Sequence, residues 1–218
     1  CKIIRLKNKY EKTGGNVLKK TILVIDACVR REESRTKKLL EAALDTVRKE
    51  HPDWNLEILN LMDLDLMYWK TETLKERDEL LAKKEYDAPV FKYGNQFREA
   101  DGVIVAAPFW DLSIPAVLKV YIENISAEGI TFGCNESGLY GLCKAKWLLF
   151  LTTRGGIWAD SDMEQGSTYM EALCKFFGID EYACVYADGI DVQELDGEEI
   201  LREAIEETKG ICTRLSCE

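Results

Sequence analysis

The stretch Gly102–Lys119, GVIVAAPFWDLSIPAVLK, restricts the possible folds more than any other part of the chain. From Gly102 to Ala107 no polar residue interrupts the run. A strand with only one buried face would alternate, so this one is covered on both faces, as in a parallel sheet between helix layers. Pro108 cannot continue a sheet ladder. Pro115 suits the first turn of a helix, and Ile114, Val117, Leu118, Tyr121, Ile122 and Ile125 then form one apolar stripe. Between strand and helix lies Phe109-Trp110-Asp111-Leu112, two large aromatics on a carboxyl-end loop. Ligands of open α/β sheets bind at such loops, and exposed aromatics there suit a flat aromatic ligand. Packing of the loop onto the core explains the same residues equally well.

The remaining segments repeat the strand–helix alternation. Thr21–Asp26, TILVID, reads as the first strand and Leu56 to Leu61 as the second. Lys146 to Thr153 reads as the fourth and Tyr182 to Tyr186 as the fifth. Leu39, Leu40, Ala43, Leu44 and Val47 mark the first helix, which Ser34 or Thr36 can cap. Helices are also expected at Thr71 to Lys84, Val90 to Glu99, Gln165 to Phe177 and Glu194 to Leu215. Asn135 to Leu142 reads as a long loop. Five strands alternating with helices predict a doubly wound α/β sheet of flavodoxin-like order 2-1-3-4-5, which binds at the ends of its first, third and fourth strands.

Those three ends carry distinctive residues. After the first come Ser34, Arg35 and Thr36, hydroxyls at a helix start with Arg30 and Arg31 nearby, suited to an anion or simply to capping. After the third comes the aromatic loop. After the fourth come Thr153, Arg154, Gly155 and Gly156, where glycines let backbone N–H groups approach a ligand or make a tight turn. The only histidine, His51, receives no role.

Composition narrows the function. A net charge of −10 argues against a nucleic-acid partner, and no apolar run approaches the roughly 20 residues of a membrane span. The eight cysteines form no CxxC pair or zinc spacing, so a reduced, cytoplasmic protein without a metal site is expected. Residues 1–20, with several lysines and Gly14-Gly15, are expected to form a partly ordered extension of a single domain over 21–218.

From about Thr21 to Ile190 the chain resembles the FMN-dependent NADH azoreductase and NAD(P)H quinone reductase family of flavodoxin-like enzymes. The resemblance is carried by AAPFWDLSIPAVLK, by GITF followed by GLYGL, and by TTRGG. It implies FMN, with its phosphate at Ser34 and Thr36 and its ring wrapped by Pro108, Phe109, Trp110, Asp111 and Leu112. Thr153, Arg154, Gly155 and Gly156 would meet the ring's polar edge, with Arg154 and the Gly155 N–H stabilising charge there. No side chain is needed as acid or base. The implied substrate wall is Phe132, Trp158 and Phe176. The chain departs from the family pattern at Cys28, Asp111 and Cys134. The implied activity passes a hydride from NADH or NADPH through the flavin to a quinone, azo or nitro acceptor in ping-pong fashion. A homodimer with interfacial sites is implied, Phe176 reaching the partner's flavin. A flavodoxin-type electron carrier, or a ligand-binding module on the same fold, remains open at this point.

Overall fold

A computed structural model of the chain describes residues 19–217; the extension expected over 1–20 therefore lies almost wholly outside the described residues. The elements are β1 (Thr21–Asp26), α1 (Arg35–Glu50), β2 (Asn55–Asn60), α2 (Thr71–Ala82), α3 (Lys92–Glu99), β3 (Gly102–Ala106) and α4 (Ala116–Ile125). They continue with β4 (Phe132–Asn135), β5 (Gly138–Gly141), β6 (Trp147–Thr153), α5 (Gly166–Phe177), β7 (Glu181–Ala187) and α6 (Gly197–Thr213).

The main sheet has five strands in the order β2-β1-β3-β6-β7, all paired in parallel. With β6 and β7 counted as its fourth and fifth strands, this is the expected 2-1-3-4-5. Alternate residues of the central strands supply two cores. Leu23, Ile25, Val103, Val105, Leu148 and Phe150 face the layer containing α3, α4 and α5. Ile22, Val24, Ile104, Leu149 and Leu151 face α1 and α6. Burial on both faces is why these strands show no polar alternation.

Two expectations are corrected. The region from Asn135 to Leu142 is not a loop throughout. β4 and β5 pair antiparallel, Phe132 opposite Gly141 and Asn135 opposite Gly138, as a hairpin with its own small sheet. Its side chains are mostly exposed, so no apolar alternation announced it. The last helix begins at Gly197, three residues after Glu194, because Asp196 caps it by accepting from the N–H groups of Glu198 and Glu199 at 3.1 and 3.0 Å.

Parallel pairing brings the carboxyl ends of β1, β3 and β6 to one rim. The Ala27 N–H donates to Ala106 O at 2.8 Å, and the Ala107 N–H to Leu151 O at 3.0 Å. All three loops leave from this edge.

Candidate active site at the carboxyl rim

At the start of α1, Ser34 occupies the N-cap with extended backbone, but its hydroxyl makes no capping bond. Thr36 does not cap either; its buried hydroxyl meets that of Thr153 at 2.7 Å, tying the first rim segment to the last. The free N–H groups of this helix start therefore remain the natural anion donors here. Arg35 lies beside them but is already engaged. It grips Asp191 through both guanidinium branches, at 2.6 and 2.9 Å, which raises its own pKa and lowers that of Asp191. Lys37 pairs with the buried Asp26 at 2.5 Å. Cys28 is buried in the same loop, and desolvation first, then the neighbouring Asp26 carboxylate, pushes its thiol pKa well up.

The aromatic loop is a miniature hairpin. The Trp110 N–H donates to Ser113 O at 3.1 Å, and the Ser113 N–H returns to Trp110 O at 2.8 Å. Asp111 and Leu112 form the turn with φ of 49° and 66°, a left-handed pair that most side chains avoid. Trp110 and Leu112 are exposed; Pro108 and Phe109 are half-buried. The Phe109 N–H donates to Thr153 O at 3.1 Å, so the aromatic loop is fastened to the Thr153–Gly156 segment.

That segment presents backbone rather than side chain. The carbonyls of Arg154, Gly155 and Gly156 accept from the N–H groups of Ile190, Asp191 and Gly189 at 3.1, 2.9 and 2.9 Å. Among the described residues the N–H groups of Gly155 and Gly156 have no partner. The Arg154 side chain is only 1% exposed, held by Glu164 at 3.2 Å and Asp188 at 3.5 Å. Its guanidinium lies between the rings of Phe109, at 5.6 Å, and Tyr186, at 4.5 Å. So deep a group cannot offer itself directly to a ligand, and the expected direct contact becomes a charge held behind the turn.

The three expected wall residues separate. Trp158 belongs to the rim, its ring 5.8 Å from that of Phe109. Phe132 and Phe176 pair with each other, centroids 4.6 Å apart, at the far end of α5. Gly166, at the other end of that helix, touches Phe109 and Ser113. Ten residues of helix rise about 15 Å, so Phe176 cannot meet the rim of its own chain.

The rim fits FMN by the chemistry of its donors. A helix start and an arginine stand at one end, unpartnered N–H groups at the other, and aromatic faces between them. Asp188 and Glu164, which hold the buried arginine, were missed from the sequence; only contact in space distinguishes them from the chain's other acids. Among the described residues no His, Cys, Asp and Glu cluster suits a metal ion, and no helix is long and apolar enough to cross a membrane.

The chain is similar to known proteins over nearly its whole length. It is 34% identical to an FMN-dependent NADH:quinone oxidoreductase of Clostridium beijerinckii, covering 86% of this chain and 96% of that relative. A Coprothermobacter proteolyticus protein of the same description is 34% identical over 83% of this chain and 91% of its own length. The crystal structure of an azoreductase from Bacillus anthracis superposes with a TM-score of 0.82 at 27% identity, covering 91% of this chain and all of that one. The family model described as flavodoxin-like fold matches residues 20–211, and the chain belongs to that family.

Proposed function

We propose that the chain binds FMN at the carboxyl rim and reduces quinone, azo or nitro compounds at the expense of NADH or NADPH. The convergence of three rim segments carries the reading: Thr36 bonded to Thr153, Phe109 bonded to Thr153, and Arg35 held by the residue whose N–H bonds Gly155. FMN, when bound, supplies the hydride chemistry. Likeness to FMN-dependent NADH:quinone oxidoreductases supports this assignment.

Each rim segment then has a task. The N–H groups at the α1 start hold the phosphate, with Ser34 beside them and Arg35, gripped by Asp191, bordering the site. Pro108 to Leu112 wrap the ring, while Gly155 and Gly156 donate N–H groups to its polar edge. Arg154, paired with both Glu164 and Asp188, braces the turn from behind. Phe109 and Trp158, whose rings meet, form one wall of a slot that donor and acceptor occupy in turn. No side chain is assigned proton transfer.

The remaining wall comes from a second copy. The distance of Phe176 from its own rim supports a homodimer in which Phe132 and Phe176 close the partner's site. Phe176→Ala then raises KM for the acceptor severalfold while FMN affinity stays unchanged, as separate steady-state and flavin-binding measurements would show.

The decisive experiment incubates purified protein with FMN, removes free flavin, and records the spectrum and NADH oxidation with a soluble quinone. Yellow protein that turns over without added protein partners is expected. Yellow but inert protein would indicate an electron carrier, and colourless protein a binding module without flavin.

A further inference from the structure

Asp188 follows the edge strand β7, and one of its oxygens serves the backbone on the far side of the Gly155–Gly156 turn. Its Oδ2 accepts from the N–H groups of Trp158 at 2.8 Å and Ala159 at 3.0 Å. Its Oδ1 stands 3.5 Å from Arg154 Nη1, and neither atom makes a hydrogen bond. The ion pair with Arg154 is thus the looser of its two engagements. Its well-formed bonds go to the segment that carries Trp158.

Trp158 in turn sits over the turn itself. A Cβ placed on Gly156 would lie 2.9 Å from the indole Nε1, so the indole edge covers that glycine. The ring also meets Phe109. The preceding residue, Ile157, is 66% exposed and contributes little packing of its own. What locates the indole is the pair of bonds to Asp188 and contact with Gly156 and Phe109.

We propose that Asp188 is a positioning residue that clamps residues 157–159, holding Trp158 across the Gly155–Gly156 turn and so limiting the breadth of acceptor the slot admits. This rests on the functional reading above. With the clamp in place, a one-ring quinone passes beside the indole while a fused-ring azo compound meets it. Without the clamp the indole swings free and the discrimination falls.

The test compares kcat/KM for a naphthyl azo dye with that for 1,4-benzoquinone in FMN-loaded parent, Asp188→Ala, Asp188→Asn, Trp158→Ala and the Asp188→Ala/Trp158→Ala double variant. The dye-to-quinone ratio rises about tenfold in Asp188→Ala and in Trp158→Ala, with no further rise in the double variant. Asp188→Asn keeps an acceptor oxygen for the two N–H groups and stays near the parent ratio. A second reading is made without flavin. Acrylamide quenching assigned to Trp158, by subtracting a Trp158→Phe counterpart, increases in Asp188→Ala. Parent-like ratio and quenching in Asp188→Ala overturn the proposal, as does a further rise in the double variant. Failure of the parent to take up FMN sinks the functional reading, while the flavin-free quenching still decides whether the clamp exists.

Discussion

Arg35 and Asp191 show how a single pair of charges spans the rim. The Asp191 carboxylate accepts both guanidinium branches, and its N–H holds Gly155 O. Arg35 keeps the folded pKa of Asp191 below its unfolded value. The pair's stabilisation is therefore complete above about pH 4 and is lost as pH falls through the depressed folded value. Both side chains are substantially exposed, so Asp191→Asn should cost at most about 1 kcal/mol at neutral pH. Urea titrations should show that difference closing at acid pH. The cysteines divide as sharply: Cys134 is exposed, whereas Cys174 and Cys212 are buried, with thiols pushed up to about 12. Alkylation at mildly alkaline pH should label Cys134 quickly and leave those two unmodified until the chain unfolds, as mass spectrometry would show. At this scale the sequence was only partly legible. Thr36 was recognisable as a hydroxyl at a helix start, but its bond partner lies 117 residues away. Arg154 was visible as a charge beside two glycines, yet nothing in its neighbours announced that Phe109 and Tyr186 enclose it.

Elements were legible where burial imposes a pattern. The uninterrupted apolar runs of β1, β3 and β6 located the sheet because both faces are covered. The β4–β5 hairpin carries no such pattern, being pinned at one end rather than buried along its length. Gly141 is the pin: a Cβ there would stand 1.9 Å from the Phe177 carbonyl carbon and 2.0 Å from the Gly178 nitrogen. Backbone cannot yield as a side-chain tip does, so Gly141→Ala should cost about 1–3 kcal/mol or more, read from the urea midpoint. The opposite outcome is expected in the aromatic loop. Leu112 sits at φ 66°, a conformation that costs roughly 1–2 kcal/mol for an ordinary side chain. Leu112→Gly should therefore match or exceed the parent's stability in the same titration, against the usual penalty for introducing glycine. Strain of this kind accumulates where a loop is shaped for a ligand.

For the whole molecule, strand order followed from the count of alternating elements together with a resemblance carried by three short motifs. What a single chain could not reveal is how the distant ends of α5 are used. Gly166 supports the aromatic loop, while Phe176 pairs with Phe132 about three turns away. If the proposed pairing holds, dilution into the dissociating range should lower turnover more steeply than protein concentration, with sedimentation velocity reporting the same transition. The pinned hairpin bears on this association. Because Gly141 lies against Gly178, backbone to backbone, the arm acquires its shape as the chain folds, long before a second copy arrives. In the proposed dimer two such preformed arms would meet with little left to organise, so encounter should resemble a key entering a cut lock, with little of the contact energy spent on ordering.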